Sequence, residues 1–193
     1  MIKKGSAVLE LRERILEGTL QVFNDKGIKF TMDDIAKTLG ISKKTIYTVF
    51  HDKNEMLLAL VDYLFDQIKE EESKIYEDDS LSTVEKIRSI LGVLPNSYKE
   101  IDFRQLYMLK EKFPDIYAKV EERLENGWET TIELLERGMR EGVIRPIKIP
   151  LLKMMMESSL EQFFRRDILV KNKITYQEGL DEVVAILVDG ISI

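Results

Sequence analysis

The sequence contains no cysteine and only one histidine, His51, among its 193 residues. The absence of cysteine excludes a disulfide framework, a thiol nucleophile and a cysteine-based zinc site. A single histidine is too few for a histidine-rich metal site or for catalysis by a histidine pair. The sequence also offers no nucleophile paired with a base and no phosphate-binding loop. We therefore expect no catalytic site, no metal and no cofactor, and we do not expect an enzyme.

Glycine and proline are scarce as well, with ten and four residues. This excludes a collagen-like, low-complexity or disordered chain. No stretch reaches the roughly 18 consecutive apolar residues of a membrane span. Residues 1–10 lack the apolar run of a signal peptide. We therefore expect a cytoplasmic protein that has no membrane partner.

The charges that are present are unevenly distributed along the chain. Residues 1–55 carry ten basic and eight acidic side chains, a net charge of +2, whereas residues 56–193 carry 19 basic and 27 acidic ones, a net charge of −8. A locally basic end on an acidic protein suggests a small polyanion-binding unit attached to a larger acidic body.

Apolar residues recur at the spacing of a helix face along nearly the whole chain. Five pairs have the spacing of a capping box, in which side chains three residues apart close the first turn of a helix: Thr31 with Asp34, Asp52 with Glu55, Ser82 with Glu85, Ser97 with Glu100 and Thr175 with Glu178. The longer helices are expected at about 7–25, 31–38, 42–48, 52–76, 115–140, 151–170 and 176–190. Residues 143–150 alternate like a strand, but their two prolines indicate a loop. The pattern predicts an all-α fold of about nine helices.

Residues 31–50 meet the steric requirements of a helix-turn-helix. Ala36 is small enough to let the second helix approach, Gly40 can adopt the positive φ of the turn, and Ile46 can pack back under the first helix. The side chains left outward are hydroxyls and ammonium groups, which reach phosphates and base edges. These offsets alone also fit two ordinary surface helices joined by a glycine turn.

The sequence around this motif resembles the DNA-binding domain of the TetR family of bacterial transcriptional regulators. The resemblance spans residues 12–58, and the matching positions are Arg12, Ile15, Leu16, Phe23, Gly27, Thr31, Ile35, Ala36, Gly40, Ile41, Ser42, Thr45, Ile46, Tyr47, Phe50, Lys53, Glu55 and Leu58. It implies a helix-turn-helix domain over residues 1–52, followed over residues 53–193 by a helical domain for effector binding and dimerisation.

The resemblance also implies which residues contact DNA, with Thr31 and Lys53 on backbone phosphates. The expected DNA-binding residues are Thr31, Ser42, Lys43, Lys44, Thr45, Tyr47, Thr48, His51 and Lys53. Three positions depart from the family pattern. Lys44 stands where a small residue is frequent, and Val49 replaces a Tyr or His, whose phosphate contact His51 could supply. Gly18 replaces an alanine, at a cost of about 1 kcal/mol in helix stability.

The rest of the chain offers candidates for an effector pocket and for a dimer interface. The pocket candidates are Tyr63, Phe103, Tyr107, Met108, Trp128, Met155 and Phe163, and their alternative role is ordinary core packing. The interface candidates are Leu152, Met155, Leu180, Val183, Val184, Leu187 and Ile191, which could pack on a second copy or on their own body.

The expected partners are a duplex DNA operator, a second copy of the chain and a small-molecule effector of unknown identity. Taken together, the motif and the resemblance imply a sequence-specific repressor that an effector releases from an inverted-repeat operator. The alternative is a helical ligand-binding or scaffold protein whose DNA-reading head is non-functional.

Overall fold

The computed structural model describes residues 2–95, 112–165 and 168–193, and these residues form an all-α protein, as predicted. The helices are α1 (Ile2–Lys26), α2 (Met32–Leu39), α3 (Lys43–Tyr47), α4 (Lys53–Glu77), α5 (Thr83–Leu91), α6 (Pro114–Glu125), α7 (Glu129–Glu141), α8 (Ile149–Arg165), α9 (Ile168–Lys171) and α10 (Tyr176–Asp189). A single 3₁₀ turn, Gly27–Lys29, follows α1. Among the described helices, none is both long enough and apolar enough to cross a membrane.

Capping boxes close the first turns of α2, α5 and α10. The capping boxes of α2, α5 and α10 are all present, with the hydroxyl accepting from the backbone and the carboxylate accepting from the capping residue. These three predictions are confirmed. Asp52 also accepts from the N–H of Glu55 at 2.8 Å, at the start of α4. The predicted pair Ser97–Glu100 lies outside the described residues. Gly40 and Gly142 end α2 and α7 in the left-handed region, at φ of 63° and 72°.

One predicted helix is wrong: residues 115–140 do not form a continuous helix. The chain leaves α6 at Glu125, and Gly127 takes a φ of 79° before α7 begins. A residue in this conformation cannot continue a right-handed helix. The dipeptide Asn126-Gly127 is a common turn signal that could have predicted this break.

The predicted loop at 143–150 is confirmed as non-strand. Within the described ranges, its one ladder contact is an isolated antiparallel bridge between Ile144 and Ser192. Pro150 lies in the first turn of α8, where the absent N–H costs no helical hydrogen bond. The predicted helix at 151–170 corresponds to α8 and α9, and residues 166–167 lie outside the described part of the chain.

Packing groups the chain into two compact units. The first comprises Met1–Leu64 and Gln105–Val120, and the second comprises Phe65–Arg104 and Glu121–Ile193. In the first unit α2 packs against α1 and α3. In the second, α5 packs against α7 and α10, and α10 also packs against α8. The functional boundary between residues 52 and 53 stays a prediction.

The core of the second unit is built from aliphatic side chains of α5, α7, α8 and α10. Its buried members are Ile87, Ile90, Leu91, Leu134, Leu135, Ile144, Leu152, Met156, Leu180, Val184, Leu187, Val188 and Ile191. Five of the residues considered for a dimer interface are in this cluster. From the sequence, these residues could pack on a second copy or on their own body. The structure places these five in the core of their own unit.

The glycine at position 18 allows α1 and α2 to approach each other closely. A Cβ built on Gly18 would lie 2.6 Å from Cδ2 of Leu39 and 2.8 Å from its Cγ. Carbon atoms in contact are normally about 3.5–4.0 Å apart. Glycine, which departs from the family pattern at this position, therefore leaves the space that the Leu39 side chain of α2 occupies.

We expect the substitution Gly18→Ala to lower the free energy of unfolding. Overpacking costs about 1–3 kcal/mol, which exceeds the gain of about 1 kcal/mol in helix propensity. Urea denaturation measures the difference. In a Leu39→Ala background the same substitution should become stabilising, because the clashing side chain is gone. A stabilising effect of Gly18→Ala in the otherwise unchanged protein would contradict this account.

Candidate nucleic-acid interface

The turn between α2 and α3 is held by backbone and side-chain hydrogen bonds. The N–H of Ile41 donates to the carbonyl of Ala36 at 3.0 Å, which the left-handed conformation of Gly40 makes possible. The hydroxyl of Ser42 then accepts from the N–H of Thr45 at 3.0 Å and begins α3. The predicted cap at Ser42 is confirmed, and α3 is five residues long.

The inward side of α3 is fixed by burial. Ile46 is completely buried and Phe50, just beyond the helix, is 1% exposed. Ala36 on α2 is also buried, as the close approach of the two helices requires. The guanidinium of Arg12 lies over the ring of Phe50, 5.3 Å from its centroid. These contacts leave one face of α3 toward solvent.

The outward side of α3 presents hydroxyl and ammonium groups, as the spacing predicted. Tyr47 is 46% exposed, and Lys44 and Thr48 are exposed beside it. Thr45 is half-buried, and its Oγ1 lies 2.8 Å from the hydroxyl oxygen of Ser42. Thr48 donates its hydroxyl to the carbonyl of Thr45 at 2.6 Å. The face can therefore offer donors and one aromatic ring to a polyanion.

The two lysines of α3 have different surroundings. Nζ of Lys43 lies 2.9 Å from Oδ2 of Asp33, in the first turn of α2. This hydrogen bond raises the pKa of Lys43 above its ordinary value. Lys44 is exposed, and within the part of the chain that the structure describes it forms no ion pair.

The first turn of α2 is closed by Thr31 and Asp34. The carboxylate of Asp34 accepts from the N–H and from the hydroxyl of Thr31, both at 2.8 Å, and also from the ammonium of Lys26. The hydrogen bond from Lys26, followed by those from Thr31, lowers the pKa of Asp34 to about 2. Thr31 is exposed beside the turn, so its capping role is confirmed and its expected phosphate contact stays a prediction.

Lys53 has intramolecular partners that sequence reasoning missed. Its ammonium donates to the carbonyls of Ile28 at 2.9 Å and Phe30 at 2.6 Å, and it lies 3.8 Å from the centroid of the Phe30 ring. Burial lowers the pKa of Lys53. Lys53 ties the first turn of α4 to the 3₁₀ turn, and its expected phosphate contact stays a prediction.

His51 is exposed, and its backbone N–H donates to Glu55.

The pocket candidates that the structure describes differ in their contacts. In the first unit, Tyr63 donates its hydroxyl to Glu17 at 3.2 Å. In the second unit, Trp128 donates to the carbonyl of Leu124 at 3.1 Å, Phe163 meets Tyr176 edge to face, and Met155 is 51% exposed. The candidates Phe103, Tyr107 and Met108 lie outside the described residues.

The second unit also carries a surface cavity that sequence reasoning missed. Its walls include Ser82, Thr83, Arg137 and Glu141, and they contain none of the predicted pocket residues. Glu141 accepts from the hydroxyl of Thr83 at 2.6 Å and from Arg137 at 2.7 Å. The polar groups of Thr83, Arg137 and Glu141 therefore already bind one another.

A pair of capped helices joined by a left-handed glycine, with a buried anchor and an outward face of donors, defines a helix-turn-helix protein. Comparison with known proteins narrows this class. The family model described as bacterial regulatory proteins, tetR family, matches residues 15–60. An uncharacterized HTH-type transcriptional regulator of Bacillus subtilis, YvaF, is 30% identical over 180 residues, covering 93% of this chain and 95% of the relative. The chain belongs to the TetR family and is a DNA-binding transcriptional regulator.

Solved structures of the family share the fold. A TetR-family transcriptional regulator from Cytophaga hutchinsonii is 19% identical, with a TM-score of 0.70 over 94% of both chains. The transcriptional regulator FadR from Bacillus subtilis, in complex with stearoyl-CoA, is 21% identical, with a TM-score of 0.59 over 93% of this chain and 98% of that chain.

We expect the Asp34 carboxylate to stabilise the fold in its charged form. Because its pKa is about 2 in the folded protein and 3.8 ordinarily, the stabilisation is complete above about pH 4 and is lost as the pH falls toward about 2. The substitution Asp34→Asn should lower the melting temperature at neutral pH, and this difference should shrink through that window. A difference that does not change with pH would contradict this assignment.

Proposed function

We propose that this regulator is a homodimeric repressor that reads an inverted-repeat operator and is released from it by a small-molecule effector. The observation that carries the proposal is the outward face of α3, where Lys44, Tyr47 and Thr48 are exposed while Ile46 is buried. A recognition helix of a helix-turn-helix needs this division between an anchored and a solvent-facing side.

Residues in the middle of α3 would read the bases, and residues at the helix starts and at or beyond the end of α3 would bind phosphates. Lys44 and Thr45 would face base edges, where Lys pairs with guanine and a threonine methyl meets thymine. Thr31 and Ser42 cap the starts of α2 and α3, and helix starts attract phosphate because their N–H groups point outward. Tyr47 and His51 are exposed and would add donors to the backbone.

A second copy is required by the inverted repeat, and the second unit offers a surface for it. Leu151, Met154 and Met155 on α8 are each more than half exposed, and Ile186 on α10 is 63% exposed. The helices α8 and α10 pack against each other, so these side chains border a shared pair of helices. A two-fold interface buries the same patch on both copies.

The effector is proposed as a class only, a small molecule bound by the helical second unit. Two observations support it. The B. subtilis FadR structure, which shares this fold, contains stearoyl-CoA. The second unit also carries two half-buried aromatic residues: Trp128, which packs against the aliphatic core, and Phe163, which meets Tyr176 edge to face.

Selection of duplex DNA from a random library by the purified protein tests the reading head. We expect an enriched inverted repeat. The substitution Lys44→Gln should weaken binding to that site by about fivefold or more, since a good base contact is worth about 1–3 kcal/mol. Lys148→Gln, which removes an exposed lysine of the second unit, should change affinity less than about twofold. A folded protein that enriches no sequence would refute the proposal and favour a non-functional head.

Sedimentation equilibrium tests the dimer. We expect the wild-type protein to be a dimer and Ile186→Glu to be a monomer, because the substitution places two charges into an apolar interface. The matched control is Val8→Glu, which changes an equally apolar, exposed residue of the first unit and should leave the dimer intact. A wild-type monomer at micromolar concentration, or an unchanged dimer in Ile186→Glu, would contradict the proposed interface.

A further inference from the structure

Two neighbouring lysines open α3, and only one of them has an acidic partner among the residues that the structure describes. Lys43 is bound to Asp33 at 2.9 Å, and the side chains of the pair are 44% and 71% exposed. Lys44 forms no ion pair among the described residues. The sequence makes the two lysines look equivalent, but their surroundings differ by a full negative charge.

The position of Asp33 gives this difference a consequence for DNA binding. Asp33 lies in the first turn of α2, and its bond to Lys43 places its carboxylate beside the start of α3. An exposed carboxylate next to a docked phosphate would repel it. The two groups would lie within a Debye length of each other, so salt would not fully screen the repulsion. The ammonium of Lys43 cancels that charge.

We propose that Asp33 and Lys43 form a neutral pair that does not bind phosphate. We also propose that Lys44, whose ammonium would enter the groove at a base edge, is the lysine of α3 whose charge displaces counterions from DNA. The proposal rests on the function proposed above. Asp33 then limits affinity, because it occupies a cation that would otherwise contact the duplex. Lys43 acts as a positioning residue that shields the carboxylate from the DNA.

The second carboxylate of the same turn is neutralised in the same way. Asp34 accepts from Lys26 and from both donors of Thr31. The first turn of α2 therefore carries two carboxylates and two bound ammonium groups, and it contributes no net charge to the surface. The attraction for a polyanion then comes from exposed lysines, such as Lys44, that have no acidic partner within the described part of the chain.

The dependence of DNA affinity on salt concentration separates the two roles of Lys43. The logarithm of the association constant falls with the logarithm of salt by about 0.9 for each phosphate that the protein neutralises. Four proteins are compared on the selected duplex: wild type, Asp33→Asn, Lys43→Gln and the double variant. Lys44→Gln is the reference for loss of a true contact, and its slope should flatten by about one per protomer.

We expect Asp33→Asn to bind more tightly than wild type, by about threefold or more at low salt, with a slope steeper by about one per protomer because Lys43 is released. The double variant should match wild type in slope and bind within about twofold, because it removes a neutral pair. Lys43→Gln alone should bind more weakly than the double variant, because it leaves the carboxylate of Asp33 uncovered.

Two results would overturn the proposal. If Lys43 contacts phosphate in the wild-type complex, the double variant loses affinity about as strongly as Lys43→Gln and its slope flattens like that of Lys44→Gln. An unchanged slope in Asp33→Asn would also overturn the proposal.

A measurement without DNA keeps this inference separate from the proposed function. NMR titration of the Lys43 ammonium in the free protein should show a pKa that falls when Asp33 is replaced by asparagine, and an unchanged pKa would overturn the pair. A wild-type protein that shows the pair but selects no duplex would overturn the proposed function, and the inference with it.

Discussion

Burial of one side of a five-residue helix is the constraint on which the reading head depends. A helix as short as α3 has no stability of its own in water, since nucleation costs more than so few hydrogen bonds return. The fully buried Ile46 and the cap at Ser42 hold it in place. Rotation of α3 about its axis would expose the apolar side chain of Ile46 to water. The burial of Ile46 therefore also determines which side of α3 faces solvent.

The electrostatics of the head follow from short-range pairing and not from the total charge. The first 55 residues carry a net charge of +2, but several of their cations are bound within the protein. Lys26 and Lys43 neutralise carboxylates at the start of α2, and Lys53 donates to two backbone carbonyls next to it. The same ammonium groups that look available in the sequence therefore hold the helix-turn-helix together.

The features predicted correctly from the sequence are local ones. The caps at Thr31 and Thr175 and the turn at Gly40 depend on residues within one helical turn of each other, so their spacing is sufficient to predict them. Contacts between distant segments were not predictable. Neither the approach of Gly18 to Leu39 nor the carbonyl partners of Lys53 leave a periodic signal. The apolar stripes of α8 and α10 were ambiguous because the same spacing serves an internal core and an interface between copies.

The proposed function depends above all on duplex DNA docking on the outward face of α3. Mapping of backbone amide chemical shifts on addition of the selected duplex tests it directly. We predict that the largest changes fall on residues 42–48 and at Thr31, and that the core residues of the second unit change little. Tight binding that leaves the amides of α3 unperturbed would contradict the claim.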